Sequence, residues 1–285
     1  MFSYRHAFHA GNHADVLKHV VLVQMLRHLA LKETPFWVID TQAGAGIYSL
    51  DSEWANKRSE FATGIGRIWG REDAPAAVAD YLAVVAAFNS DSTLRAYPGS
   101  PFIALQLMRD ADRLRLFELH ANESLALAKN IGELGRSATR RTLIDAADGF
   151  VGLQALLPPP PRRGMVLIDP SYEDKRDYAR VVTALRAALG RFATGCYAIW
   201  YPQVQRRDPD EMLRKLTRIR DAPWLHATLT VCRPSQDGLG LHGSGMFVVN
   251  PPWTLRAAMR DSLPWLCEAL GQDTTANWTL DYAGD

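Results

Sequence analysis

The residues with the clearest chemical potential follow an apolar run near the middle of the chain. Residues 165–168 read Met-Val-Leu-Ile, which is typical of a buried strand, and Asp169, Pro170, Ser171 and Tyr172 come directly after it. The carboxylate of Asp169 and the backbone carbonyl of Pro170 can accept the two protons of one amino group. The Tyr172 ring can stack on a base that has left its helix. The pattern therefore predicts a site that holds the exocyclic amino group of a nucleobase.

This tetrapeptide resembles the (D/N)PP(Y/F) signature of amino-methyltransferases. The N6 lone pair of adenine is delocalised into the ring, so that nitrogen is a poor nucleophile. Hydrogen bonds to Asp169 and Pro170 would push the nitrogen toward sp³ geometry and aim its lone pair at a methyl donor, so that positioning and charge complementarity supply the rate. Proton loss can follow methyl transfer, so Asp169 need not be a strong base. We predict Asp169, Pro170 and Tyr172 as the catalytic residues.

A second segment fits the same pattern near the end of the chain. Residues 250–253 read Asn-Pro-Pro-Trp and include the double proline. Chain order separates the two segments, because Asp169 ends the strand that follows the other candidate binding strands, whereas Asn250 ends one of the last strands. We therefore expect the catalytic loop at Asp169.

Two features before Asp169 favour a nucleoside ligand. Residues 40–46 form a glycine-rich turn beyond a strand, where open α/β sheets bind ligands, although an ordinary structural turn also fits. The turn lacks the third small residue of a nicotinamide-binding GxGxxG sequence, which disfavours an oxidoreductase. Glu118 ends a strand predicted over 114–119 and can accept both hydroxyls of a ribose, although a solvated carboxylate is the alternative.

Asp148 and Gly149 follow a further strand, predicted over 141–144. A carboxylate or a backbone amide at this position could bind the adenine edge of a cofactor. Asp is also a favoured helix N-cap, and that simpler interpretation stays open.

The N-terminal segment, residues 4–19, contains four histidines. Their spacing matches neither HExxH nor a Cys/His knuckle, so we expect no metal. A loop leading into a helix is favoured instead. Tyr4 and His6 would contact RNA by stacking or hydrogen bonding, while Lys18 and His19 would face the carboxylate of a cofactor.

Composition and charge set the class of protein. The 285 residues carry a net charge of only +1, so any case for a nucleic-acid partner must rest on local patches. Residues 175–220 hold 11 Lys or Arg against four Asp or Glu, an excess that follows the Asp169 loop and favours a phosphate-binding surface beside it. Three widely spaced cysteines, no signal peptide and no membrane-length apolar run indicate a soluble, cytoplasmic protein.

The predicted elements position these residues. Helical periodicity over 14–32 precedes a buried strand at 36–40, and strands then alternate with helices to the end of the chain. Residues 97–101 read as a rigid loop before a helix at 102–108, and the late strands favour an antiparallel hairpin at one sheet edge. This is an α/β, Rossmann-like methyltransferase fold. We assign 1–49 and 96–285 to the methyltransferase domain and 50–95 to an inserted helical subdomain of two or three short helices.

With these residues in place, the whole chain resembles the 23S ribosomal RNA adenine-N6 methyltransferase family. The matching segments are residues 4–6 and 9–19, Asp40-Thr41, residues 43–46, residues 97–101, residues 118–120, Asp148-Gly149 and residues 191–195. The resemblance implies S-adenosylmethionine as cofactor, no metal, and 23S ribosomal RNA as partner, either protein-free or in an early assembly intermediate. It also marks Asp169 as the catalytic acceptor and Tyr4 as an RNA contact. The cofactor-lining positions that it implies, together with the glycine turn, are Lys18, His19, Gln42, Gly44, Ser100, Glu118, Asp148, Gly149 and Asp169.

Two departures from the family pattern affect the site. Gln42 stands where the family commonly has His, so that cofactor contact is expected to differ. Ser171 replaces the second proline and makes the loop less rigid, but it leaves the Asp169 side chain and the Pro170 carbonyl in place. The alternatives are a DNA adenine-N6 methyltransferase and a catalytically weak RNA-binding protein of the same fold. We expect a monomer.

Overall fold

The computed structural model describes residues 9–51, 60–219, 222–236 and 240–284. Eight strands form one sheet in the order β10-β8-β9-β7-β6-β1-β4-β5, and β2 and β3 form a separate antiparallel ribbon. The strands are β1 Trp37–Asp40, β2 Ile47–Ser49, β3 Ala96–Pro98, β4 Arg113–Phe117, β5 Thr142–Asp145, β6 Gly164–Ile168, β7 Cys196–Gln203, β8 Trp224–Thr230, β9 Gly243–Val249 and β10 Asn277–Ala283.

Helices cover both faces of the large sheet. They are α1 His13–Ala30, α2 Glu60–Thr63, α3 Ile65–Ile68, α4 Ala76–Ala86, α5 Ser100–Leu107, α6 Ala121–Glu133, α7 Arg136–Arg141, α8 Gly149–Gly152, α9 Arg176–Arg191, α10 Asp208–Leu216 and α11 Leu255–Leu270, with a 3₁₀ turn at Leu153–Leu156 after α8. The α/β class with Rossmann-like architecture is confirmed.

Both faces of the central strands are buried, which is why β6 is apolar at every position. Successive side chains of a strand point to opposite faces. Met165 and Leu167 therefore join the core formed with α1 and α11, whereas Val166 and Ile168 join the core formed with α9. Packing on both faces therefore holds the strands, and the loops at their ends, in fixed positions.

The strands β5, β4, β1, β6 and β7 are mutually parallel. Their carboxyl ends meet at one edge of the sheet, and this edge receives the loops that carry the predicted site. The expected antiparallel hairpin is present as β8 and β9, but β9 inserts between β7 and β8, and β10 forms the outer edge.

Two expectations of secondary structure were wrong. Residues 97 and 98 belong to β3 rather than to a loop, and the next helix begins at Ser100. Each strand of the β2–β3 ribbon has only three residues, which is too short for its alternation to stand out from a loop. The edge strand β10 was missed because its exposed, polar sequence lacks the apolar pattern of an inner strand.

The helices α2, α3 and α4 lie between β2 and β3, within residues 50–95. Side chains such as Ile65, Val78 and Tyr81 are buried in the same apolar cluster as α1 and α11. The division of the chain into 1–49 with 96–285 and an inserted 50–95 remains our proposal.

Candidate functional site

A cavity of about 860 Å³ opens where the parallel strands end. It is lined by every predicted cofactor-binding or catalytic residue that the structure describes, namely Lys18, His19, Gln42, Gly44, Ser100, Glu118, Asp148, Gly149, Asp169, Pro170 and Tyr172. Tyr4 and His6, the predicted RNA contacts, lie outside the described residues. The volume falls within the usual range for small-molecule sites.

A buried lysine joins the first helix to the loop after β6. The Lys18 ammonium nitrogen lies 2.6 Å from Asp169 Oδ2 and 2.7 Å from Asp15 Oδ1. Burial works against the charged form of Lys18, but the two carboxylates outweigh it, and the net effect raises the pKa of Lys18. Asp15 also accepts a hydrogen bond from the Gly11 backbone amide at 2.9 Å. The loop carboxylate is therefore held in one place by a lysine that stays protonated.

Gln42 fixes the backbone of the same loop. Its Oε1 atom accepts a hydrogen bond from the Asp169 amide at 3.0 Å and another from the Thr41 hydroxyl. The Thr41 hydroxyl also lies 3.0 Å from the Leu167 carbonyl at the end of β6. In the described part of the chain, no hydrogen bond uses the Pro170 carbonyl. Gln42 thus orients Asp169, and the Pro170 carbonyl remains available to a donor in the cavity.

Tyr172 adopts an unusual backbone conformation, with φ of 55°. A positive φ is uncommon for a residue other than glycine and carries a modest strain that the surroundings must support. Here the Tyr172 hydroxyl donates to the Trp200 carbonyl at 2.7 Å, and its ring centroid lies 4.4 Å from that of Tyr178. The ring is almost fully buried, yet it borders the cavity. Stacking on a base by Tyr172 remains a proposal.

Asp40 is the last residue of β1, and it is buried. It accepts hydrogen bonds from the Ser100 hydroxyl at 2.6 Å and from the Gln42 amide at 3.2 Å. Burial raises the pKa of Asp40 to about 6, and Asp169 contributes in the same direction, while these hydrogen bonds and Lys18 oppose the shift. Ser100 is therefore oriented by a carboxylate that titrates not far below neutral pH.

Glu118 braces the glycine turn from the end of β4. Its two oxygens accept hydrogen bonds from the Gly44 amide at 2.8 Å and the His120 amide at 2.7 Å. Burial raises the pKa of Glu118, and the two backbone amides oppose this shift. Gly44 has φ of 61°, and a Cβ there would lie 2.3 Å from the Tyr48 hydroxyl, so glycine is required at this turn.

Asp148 caps α8, the simpler of the two roles considered for it. Its Oδ1 atom accepts the Phe150 amide at 3.0 Å, and its Oδ2 atom forms an ion pair with Arg180. Gly149 is required by packing, because a Cβ there would lie 2.1 Å from the Thr41 carbonyl. The end of β5 is therefore held against the turn that follows β1, and both residues border the cavity.

His19 is fully buried at the back of the cavity. Its Nδ1 atom lies 2.8 Å from the Tyr97 hydroxyl, which in turn lies 3.1 Å from the Tyr81 hydroxyl. This chain of contacts connects α1 to β3 and α4. The predicted contact of His19 with a cofactor carboxylate remains a proposal.

Sequence reasoning missed several residues that border the cavity. Asp15 could have been found, because it stands three positions before Lys18 on a helix and so shares its face. His13 was noted only as one of the four histidines in residues 4–19. Trp200 and Arg206 gave no signal of their own, because β7 and the loop after it reach the site only in the folded chain. The Lys18 nitrogen lies 6.0 Å from the centroid of the Trp200 ring.

The second candidate loop does not border the cavity. The Asn250 side-chain amide donates to the carbonyls of Ala193 at 2.7 Å and Gly195 at 2.8 Å, and so ties the end of β9 to the turn before β7. Trp253 is largely exposed. Asn250 therefore occupies a structural position.

Neither a metal-binding cluster nor a membrane-spanning helix is present in the described ranges. They contain no group of three or more His, Cys, Asp or Glu side chains placed to hold a metal ion. No helix within them combines the length and the apolar character needed to cross a membrane. The expected absence of a metal stays a prediction.

The parallel sheet with acids at successive strand ends defines a Rossmann-like, nucleoside-binding α/β protein. A family model described as "Ribosomal RNA large subunit methyltransferase D, RlmJ" matches residues 33–283. The chain belongs to this family.

Relatives of known name agree with this assignment. The chain is 45% identical over 282 residues to ribosomal RNA large subunit methyltransferase J of Escherichia coli, and 43% identical over 283 residues to the Haemophilus influenzae protein of the same name. Each alignment covers 99% of both chains. Among solved structures, protein LPL1258 of Legionella pneumophila matches with a TM-score of 0.87 and 34% identity, over 96% of this chain and 98% of that one.

Proposed function

We propose that this protein transfers a methyl group from S-adenosylmethionine to N6 of one adenine in 23S ribosomal RNA. One observation carries the proposal: the loop of Asp169, Pro170 and Tyr172 borders the same cavity as the Gly44 turn and Glu118. The loop proposed to hold the target base and the strand ends proposed to bind the cofactor nucleoside therefore line one cavity. The printed names of the relatives, large-subunit ribosomal RNA methyltransferases, support RNA as the substrate class.

The described residues fit the cofactor. Glu118 provides a half-buried carboxylate for ribose hydroxyls, and Gly44 and Gly149 line the same cavity. Lys18 provides a buried cation, and Gln42 and Ser100 provide polar side chains that line the cavity. When bound, S-adenosylmethionine supplies an electrophilic methyl group on a sulfonium.

In the proposed mechanism, the protein works by holding the amino group. Asp169 can accept one amino proton while it is paired with Lys18, because a carboxylate has about four acceptor positions. The Pro170 carbonyl accepts a hydrogen bond from the second N–H, and Tyr172 supports the base beside it. The methylated nitrogen loses one proton to solvent after the transfer. Positive charge grows on the amino nitrogen during transfer, and the Asp169 carboxylate stabilises that charge.

The surroundings of the cavity suit a polyanion. Arg206 lines the cavity and is exposed, and the helices α9 and α10 beside it carry further exposed basic residues such as Arg176, Arg214 and Lys215. Backbone phosphates are contacted mainly by such side chains. We further propose that the protein acts as a cytoplasmic monomer on protein-free RNA or an early assembly intermediate.

Methyl transfer to unmodified RNA tests the proposal directly. Protein-free 23S RNA and duplex DNA are incubated separately with labelled methyl donor, and the modified nucleotide is mapped by mass spectrometry. We expect one N6-methyladenosine in the RNA and no transfer to DNA. Transfer to DNA alone would replace the RNA assignment with the alternative of a DNA adenine methyltransferase, and no transfer to either would leave only a weak RNA-binding protein.

A further inference from the structure

His13, the first residue of α1, is a buried histidine with unmet hydrogen-bonding capacity. Its side chain borders the cavity, and the residue is only 6% exposed. The Nδ1 atom is enclosed by protein and has no hydrogen-bond partner among the described residues. Neither ring nitrogen has a hydrogen bond among the described residues, and Nε2, unlike Nδ1, is not among the enclosed atoms, so a ligand in the cavity can meet this buried ring only through Nε2.

The ionisable groups that act on His13 lie on α1, on α2 and just before β9, away from β4 and β5. Its electrostatic neighbours are Glu60, Asp15 and His242. His242 directly precedes β9, which pairs with β7. The residues predicted to hold the nucleoside of the cofactor follow β4 and β5, which lie at the opposite end of the sheet.

His13 is a neutral donor or acceptor rather than a cation. Burial lowers the pKa of His13 to about 4, and His242 adds to this effect, while Glu60 and Asp15 oppose it. Because Nδ1 is enclosed, Nε2 is the nitrogen that can meet a ligand. A neutral ring with its proton on Nε2 avoids burying an unpaired N–H, which is rarer in proteins than an unpaired acceptor.

We infer that His13 is a substrate-binding residue that donates a hydrogen bond from Nε2 to an acceptor atom of the RNA beside the target adenosine. This inference rests on the proposed function and extends it, because it adds a contact on α1 to those of the Asp169 loop. The contact carries no charge, so it contributes to recognition without adding to the salt dependence of RNA binding.

The test compares three substitutions of His13 that place different atoms at the ring positions. The amide of Gln reaches the Nε2 position, the amide of Asn reaches only the Nδ1 position, and Ala reaches neither. We expect His13→Ala and His13→Asn to weaken the binding of protein-free 23S RNA, and to raise its KM, about five- to tenfold, the loss expected for one neutral hydrogen bond. His13→Gln should recover most of this loss.

Control measurements separate the inference from a structural role. The Kd of S-adenosylmethionine by calorimetry and the slope of RNA affinity against salt should match wild type in all three variants, and RNA affinity is compared per folded molecule because truncation of a buried ring lowers the melting temperature. His28→Ala serves as the matched control, because His28 lies on the same helix at its other end, bonded to Thr254 at 3.1 Å, and should leave RNA affinity unchanged.

Three results would overturn the inference: wild-type RNA affinity in His13→Ala, equal losses in the Gln and Asn variants, or weaker cofactor binding with RNA affinity intact. If His13→Ala does not fold, the RNA affinities of His13→Gln and His13→Asn are compared with each other and test the inference instead. Absence of N6-methyladenosine with the wild-type protein would refute the proposed function, whereas RNA affinity would still decide the role of His13.

Discussion

Lys18 and Asp169 are 151 positions apart in the chain, yet the lysine nitrogen lies 2.6 Å from the Asp169 carboxylate. Asp15 shares the same ammonium from one turn earlier on α1. All three residues are largely shielded from solvent, so none can exchange its partner for water at low cost. The first helix of the protein therefore fixes the loop on which the proposed catalysis depends.

Removal of the Asp169 carboxylate should separate chemistry from binding. We predict that Asp169→Ala lowers methyl transfer by at least about 10²-fold, because the amino group loses its charged acceptor. Cofactor affinity, measured by calorimetry, should change little. An Asp169→Ala protein with full activity would rule out the assigned role.

Asn250→Ala tests the choice between the two similar loops. Asn250 has φ of 51° and its amide makes two hydrogen bonds to backbone carbonyls, so its loss should cost about 1–3 kcal/mol of unfolding free energy. Activity per folded molecule should equal that of wild type. Loss of turnover in a folded Asn250→Ala protein would show that the second loop is the catalytic one.

Removal of the Lys18 charge should destabilise the protein strongly. Lys18→Met leaves two buried carboxylates without their cation, which should cost about 3–5 kcal/mol in urea unfolding. Adding Asp15→Asn should recover part of the loss, because one of the two buried negative charges is then removed. Lys129→Met is the matched control, since its ion pair with Glu133 is exposed, and should cost below about 0.5 kcal/mol. Equal costs for Lys18→Met and Lys129→Met would contradict the prediction.

Gln42 should affect turnover through the loop backbone. In Gln42→Leu the Asp169 amide loses its acceptor, so we expect a loss of about 1–3 kcal/mol in stability and a fall in kcat of roughly tenfold as the loop loses its fixed position. Single-turnover rates at saturating RNA and cofactor would measure the effect. Gln106→Leu, at an exposed position of α5, is the control and should leave the rate unchanged. An unchanged rate in Gln42→Leu would mean that Asp169 is positioned by Lys18 alone.

Asp40 should make stability depend on pH. The pKa of Asp40 is raised from 3.8 to about 6, so its favourable contribution is fully present below pH 3.8 and is lost as pH rises through about 6. Between pH 4 and pH 7, wild type should therefore lose about 2.4 kcal/mol of unfolding free energy relative to Asp40→Asn, which does not titrate. Urea unfolding of both proteins across this range measures the difference, and parallel profiles would refute the prediction.

Much of the site was predictable because the relevant acids end apolar strands. Asp40, Glu118 and Asp169 each close such a run, and parallel strands bring their carboxyl ends to one edge, so local patterns sufficed to place them together. The predicted carboxyl ends of these strands lie within about two residues of the observed ends. The short ribbon and the edge strand were missed because neither buries enough apolar surface to leave a pattern.

The partners of these residues were not predictable by the same reasoning. Gln42 was noted as a departure from the family pattern, but its bond to the Asp169 amide depends on the pairing of β1 with β6. Likewise, nothing in the residues around position 13 indicates that the histidine there is buried beside the cavity without a partner for Nδ1.

The sequence by itself determined the parallel strands of the sheet, the acids at their ends and the residue types that suit an amino group, because these follow from periodicity over a few neighbouring positions. Only the tertiary structure decided which cation holds Asp169, that Asn250 is tied to backbone carbonyls, and that His13 borders the cavity. The reason is physical: burial and pairing are properties of the packed chain, and they join segments from about 55 to 151 residues apart.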